Sequence, residues 1–188
     1  MIDRPSLVDR MVRAAKLDSN LYEEVEADEG ANGQAFTVVL IASIASGLGA
    51  GIAAIISGDS GLWFLWGLLI GIGTGTLGWL IWSLFAYVLG TTIFKGHVTE
   101  ADYGQLIRTI GFANTPRLLS FFSFIPFLGG FIAFVALVWT LVAGVIAVRQ
   151  ALDFSTWRAI GTCIVGWLIY TLIVFLVFGF AIGANVLF

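Results

Sequence analysis

The chain has 188 residues, of which 59% are hydrophobic and 11% charged, with a mean hydropathy of +0.99. A soluble domain carries about a quarter charged residues, so a water-facing fold cannot hide this much apolar surface and a bilayer is the expected solvent. The formal charge of -3 comes with no broad basic surface, which argues against nucleic acid as a partner.

The first thirty residues mix charged and apolar side chains without a continuous apolar run, so no cleaved signal peptide is expected. Ser6 suits a helix N-cap, with Asp9 three residues on, and Leu7, Val8, Met11, Val12 and Ala15 gather on one side of a short helix. Arg10, Arg13 and Lys16 line much of the other side. This pattern predicts a helix lying on the cytoplasmic leaflet with its cations toward lipid headgroups. The alternative is a helix packed on the protein's own loops. A second short helix, from Leu21 to Asp28, carries Glu23, Glu24, Glu26 and Asp28, followed by Glu29. This run lacks the spacing of a calcium loop and reads as a solvated face. Gly30 to Gly33 reads as a flexible joint, which sets a head of residues 1–34 apart from a membrane domain of residues 35–188.

Five apolar runs follow, with expected spans at about 36–56, 62–94, 103–125, 131–148 and 157–186. The first is close to the roughly 20 residues that the hydrocarbon layer requires. The second, of about 33 residues, would reach roughly 50 Å, so it should tilt or project beyond the inner face. Trp63 and Trp66 at its outer end suit the aromatic belt. Residues 102–149 read either as one surface helix and one long span or as two spans joined at Pro126-Phe127-Leu128-Gly129-Gly130. Basic residues resist translocation. Arg4, Arg10, Arg13 and Lys16 precede the first run, Lys95 follows the second, and Arg149 and Arg158 flank the last break. Two crossings keep all of these on one side. The expectation is an all-α, polytopic integral membrane protein of five transmembrane helices, with a short amphipathic head. Its N-terminus would be cytoplasmic and its C-terminus outside, in a bacterial cytoplasmic membrane.

Arg117 is the sharpest charge within a predicted span. About 20 Å along a helix starting near Asp102, it costs at least ~2.5–3.5 kcal/mol to insert and needs a partner, water or free carbonyls. Pro116 removes a backbone donor and frees a carbonyl near Phe112. Asn114 and Thr115 add polar groups beside it. An anion or lipid-headgroup site at a broken helix is one reading of Arg117. The plainer reading, which the sequence favours, is a bent helix whose arginine reaches an interface along its stem. Arg108, with Lys95, His97, Glu100 and Asp102, could form a polar lid or docking surface, though surface solvation suits these residues better. The single histidine and single cysteine, Cys163, provide no metal-ligand spacing, and no nucleophile–base pair or phosphate loop appears. The expectation is a protein without enzymatic activity, metal or cofactor.

Glycines carry the packing signal. Gly67, Gly71 and Gly75 form one stripe on the second span, and Gly47/Gly51 and Gly179/Gly183 share the four-residue spacing. Such stripes let helix backbones approach closely. Packing within the five-helix bundle is expected ahead of homodimerisation.

The layout of five spans, and the element Gly111-Phe112-Ala113-Asn114-Thr115-Pro116, resemble the YIP family of Ypt/Rab-interacting membrane proteins. The element is similar to the Gly–aromatic–small–x–x–Pro motif of that family's third span. The eukaryotic members' acidic Leu-Tyr-Gly-Pro element is reduced here to Leu21-Tyr22, followed by Glu23, which argues against binding a Rab-type GTPase. The compact head looks more like the prokaryotic branch. The resemblance implies a membrane organiser or adaptor acting through lipids and other membrane proteins. An accessory subunit of a larger complex, and a small transporter or channel using the Pro116/Arg117 break, remain as alternatives.

Overall fold

The computed structural model describes residues 5–58, 61–96 and 101–187, with backbone alone for residues 63 and 173–187. The described residues form seven α-helices: α1 Leu7–Ala15, α2 Ser19–Ala27, α3 Asn32–Ile56, α4 Gly61–Thr92, α5 Tyr103–Ala113, α6 Gly129–Ala151 and α7 Thr156–Leu187. Two 3-10 segments, Glu29–Ala31 and Thr115–Phe124, complete the order. The joint expected at Gly30–Gly33 is therefore wound, with Asp28 accepting from Gly30 N and α3 starting at Asn32.

Among the described residues three helical stretches, Glu29–Ile56, Phe64–Thr92 and Gly129–Ala151, are long and apolar enough to cross a membrane. The third run does not form the continuous span expected over 103–125. It breaks at Asn114, giving a three-turn α-helix followed by ten residues of 3-10 helix. At 1.5 Å per residue α5 covers about 16 Å, and at 2 Å per residue the 3-10 helix covers about 20 Å. Together they still match the ~30 Å hydrocarbon core. The narrower winding lets the backbone press on α3, where a Cβ on Gly49 would meet the carbonyl of Phe121 at 2.5 Å.

Neighbour relations fix the bundle. Gly111 packs on Ala35 near the start of α3, and Ser120 and Phe121 lie beside Gly49, so the broken element runs parallel to α3. A turn at Pro126-Phe127-Leu128 then reverses the chain. Leu128 N donates to Pro126 O at 2.8 Å, with Phe127 at φ 66°. α6 returns antiparallel, and Gln150 near its end donates to Glu23 of α2 at 2.7 Å. The starts of α3 and α5, the end of α6 and the head thus share one end of the bundle. α4 runs antiparallel to α3, with Phe36 and Trp79 rings 6.4 Å apart. Past that level it continues for thirteen residues, about 20 Å, to Thr92. This projection carries Gly90, which packs on Leu152, and is followed by Phe94, which packs on Gly161 of α7.

α3 and α4 meet where side chains are smallest. Gly71 lies against Gly47, at 3.4 Å from Cβ position to Cα, and a Cβ on Gly75 would run into Ser43 Oγ. Gly47 faces Leu68 and Gly51 faces Phe64, whereas a Cβ on Gly67 would meet nothing within 4 Å. The packing expected of Gly179 and Gly183 lies outside what is described, as do Trp63's side chain and residues Asp59 and Ser60.

Candidate functional site

The head is organised by its own charges. Ser6 caps α1, accepting from Asp9 N at 3.2 Å, and Asp18 caps α2, accepting from Asn20 N at 3.0 Å. Arg10 is 2% exposed and donates from Nε to Glu24 at 2.9 Å, from Nη1 to Gln34 at 2.8 Å and from Nη2 to Asp28 at 2.8 Å. Arg13 donates to Asp18 at 2.9 Å and Glu24 at 2.6 Å. These bonds hold the Asp18 carboxyl below the usual carboxylate range and push the Arg13 guanidinium further up. The expectation that the α1 cations face lipid headgroups is therefore corrected. Arg10 and Arg13 turn inward, and Glu24 and Asp28 from the run read as a solvated face are among their partners, because charge-assisted bonds in a half-buried setting outweigh solvation of both groups apart; Lys16 stays exposed. Val8 and Val12 stay exposed on the opposite side of α1. The head is also pinned to the bundle by Trp139 of α6, whose Nε1 donates to Ala15 O at 2.9 Å.

Arg108 does not join a polar lid. It is 4% exposed and donates from Nε to Val25 O at 3.0 Å and from Nη2 to Glu26 O, so a cation closes the C-terminal end of α2. Asp102 is engaged in a capping box with Gln105 at the start of α5. His97 and Glu100 lie outside the described residues. Glu26 itself is half-buried, and burial, with Asp153, Glu23 and Asp102 nearby, pushes its carboxyl up to about 7.

The break in the third element is capped locally. Asn114 Nδ2 donates to Ile110 O at 2.9 Å, and Thr115 Oγ1 donates to Phe112 O at 2.7 Å. The carbonyl freed by Pro116 is thus satisfied by its own neighbour and is not left for Arg117. Asn114 and Thr115 serve the backbone.

Arg117 instead faces a partly open cavity of about 690 Å³ between α4, α5, α6 and α7. Thr74, Gly78, Trp79 and Trp82 contribute from α4, Leu137, Thr140 and Leu141 from α6, and Cys163 and Trp167 from α7. Arg117 is the one charged residue among the described lining. Among the described residues its guanidinium has no hydrogen bond or ion pair. Thr140 Oγ1 is buried without a partner, as is the nearby Ser43 hydroxyl. Nη1 lies 3.8 Å from the Cβ position of Gly75, which faces Ser43. Ser43 sits eleven residues into α3, about 17 Å from its start and close to its midpoint. Arg117 therefore reaches mid-depth of the bundle and not an interface, contrary to the favoured expectation. The cost of an unpaired cation there, at least ~2.5–3.5 kcal/mol, is not offset by a protein acid. Sequence reasoning found Arg117 and Asn114 but missed Thr140, Trp79, Trp82 and Trp167, because no periodicity tells a cavity-facing tryptophan from a lipid-facing one.

With the broken element and this layout in view, the chain can be set beside known proteins. It matches the family model of the Yip1 domain over residues 19–180. The chain belongs to the Yip1 family. The match begins at the first residue of α2 and ends within α7, so it includes the Arg108 cap and the Arg117 cavity. Comparison with curated proteins and with solved structures finds no match. A multi-pass helical membrane protein of the YIP type is consistent with the apolar helices.

Proposed function

We propose that this Yip1-family protein is a non-enzymatic membrane organiser or adaptor, acting through contacts with lipids and other membrane proteins. The observation that carries the reading is the head's construction. Arg10 and Arg13 are consumed internally by Glu24, Asp28 and Asp18, and the head is fixed to α5 and α6 by Arg108, Gln150 and Trp139. Apart from Lys16, what its described residues leave exposed is largely an acidic and apolar surface held at one end of the bundle, a geometry suited to presenting a surface. The reading includes five crossings, with α5 and the 3-10 helix as a broken third. It places the head in the cytoplasm and the C-terminus outside, in a bacterial cytoplasmic membrane, with residues 1–34 as the head and 35–188 as the membrane domain. Rab-type GTPases are not among the proposed partners.

The test is extraction in a mild detergent, sizing, and mass spectrometry of what co-purifies. A membrane-protein partner at fixed stoichiometry, lost when Arg108→Leu loosens the head, supports the adaptor. A homomeric species at every detergent strength overturns it. One observation favours a second reading, a small transporter: the cavity around Arg117, whose described lining carries no acid. Flux of anionic solutes into proteoliposomes, abolished by Arg117→Gln, would replace the adaptor reading.

A further inference from the structure

We propose that the cavity between α4, α5, α6 and α7 binds an anionic lipid. Arg117 supplies the charge for its phosphate or carboxylate, and the aromatic walls receive its acyl chain. Three observations converge. The guanidinium is half-buried at mid-depth and lacks a protein partner among the described residues, so the site carries an uncompensated positive charge. The remaining polar groups at or beside the cavity include two hydroxyls without partners, Thr140 and Ser43, and no carboxylate lies among the described lining. A cation or a neutral acceptor-poor molecule would find no counter-group here, whereas an anion would satisfy both the arginine and a hydroxyl. The rest of the wall is apolar and aromatic, built from Trp79, Trp82, Leu141 and Trp167, and its volume of about 690 Å³ falls in the range of small-molecule sites. A free inorganic ion would leave those walls unfilled, and an alkane would leave the arginine unpaired. An anion bearing an acyl chain meets both conditions.

Position along the chain explains how the site is kept. Asn114 and Thr115 use their donors to close α5, so the helix break needs nothing from Arg117. Glycine at 75 lets the Ser43 hydroxyl and the guanidinium approach the α4 backbone together. The site therefore is not a by-product of satisfying the broken backbone.

The tryptophans make the proposal directly measurable. The full chain is placed in phosphatidylcholine nanodiscs and titrated with lipids whose acyl chains carry bromine, which quenches nearby indoles. Three probes are compared: brominated phosphatidylglycerol, a brominated fatty acid and brominated phosphatidylcholine. Trp66, Trp139 and Trp157 are exposed at the surface and should respond to all three alike. Trp79, which is buried, and Trp82, which is half-buried, should add a saturable component for an anionic probe alone, whereas Trp167 lines the cavity but is 55% exposed and responds to bulk lipid as well. Saturation by phosphatidylglycerol assigns the site to a phospholipid phosphate, and saturation by the fatty acid assigns it to a carboxylate. Arg117→Gln should weaken the saturable component at least about tenfold, with partial recovery in Arg117→Lys. Gly144 lines the cavity and has open space at its Cβ position, so Gly144→Leu fills the site while keeping Arg117. It should remove the saturable component from a protein that still sizes as wild type. Equal quenching by charged and zwitterionic lipid, or undiminished binding in Gly144→Leu, overturns the proposal even if Arg117→Gln fails to fold.

Discussion

Replacing Arg108 tests how the head is joined to the bundle. Arg108→Leu keeps a side chain that fills space but removes the two bonds to Val25 O and Glu26 O, which are 83 and 82 residues away in the chain. A hydrogen bond from a charged donor contributes about 1.5–3 kcal/mol. A cation at a helix C-terminus contributes about 0.3–1 kcal/mol, and up to about 2 when partly buried. Against this, the buried guanidinium no longer has to be desolvated, which returns part of the loss. The net loosening of α2 should be about 2–4 kcal/mol. Amide exchange of α2 reads it directly, because local opening free energy sets protection. Exchange over Ser19–Ala27 should accelerate roughly 30- to 1,000-fold, with residues of α3 little changed. Arg108→Lys, which can place only one point charge near both carbonyls, should lie between. Unaltered α2 protection in Arg108→Leu would mean that the carbonyls reach water in the native state and that the capping argument is wrong.

Arg10→Met should destabilise the head by about 2–3 kcal/mol, below the ~3–5 kcal/mol typical of a broken buried pair, because Glu24 and Asp28 are 31% and 24% exposed and can be rehydrated. Exchange rates of α1 amides measure it, and a double-mutant cycle with Asp28→Asn should return a favourable coupling. Glu26 gives a pH signature. Its carboxyl is raised from 4.5 to about 7, so the folded head holds a proton that the unfolded chain releases, and stability falls as pH rises through that window. After discounting for solvent screening the loss is about 1–2 kcal/mol. In Glu26→Gln thermal unfolding should be flat between pH 4.5 and 7, and more stable than wild type above it. On α4, Gly71→Ile should destabilise the fold by more than 2 kcal/mol, on the order of a core overpacking penalty, whereas Gly67→Ile should be tolerated within about 0.5 kcal/mol. Thermal melts that leave the two variants equal would remove the α3–α4 contact as the reason for the stripe.

Much of the fold could be read from local pattern. The cap at Ser6, the apolar runs of α3, α4 and α6, and the excess length of α4 are properties of nearby residues, and the sequence carries them openly. The third element was harder. Pro116 marked a break, but the apolar residues from Leu118 to Ile125 fit an α-helix as well as a 3-10 helix. The choice was made by contact with Gly49 of a different helix. The head was misjudged for a related reason. Amphipathicity shows that Arg10 and Arg13 share a side, yet not whether that side meets lipid or the acids of α2, because pairing over eleven to eighteen residues depends on how the chain turns at Leu17. For the candidate site, Arg117 stood out as a charge in an apolar run. Its surroundings did not, since the lining comes from four helices spread across about a hundred residues.

The pairing of Arg10 and Arg13 has a consequence for the order of events during biogenesis. In the proposed orientation, these cations are part of the charge that keeps the N-terminus from being translocated. Once folded they are largely cancelled by Glu24, Asp28 and Asp18, and Gln34 of α3 completes the shell around Arg10. The same side chains therefore serve twice, first as free charges on a nascent chain and later as internal ties. Gln34 leaves the ribosome after both arginines and lies in the first turn of α3, so the head cannot close fully until that helix begins to emerge. The topological signal is consumed by the structure it directs.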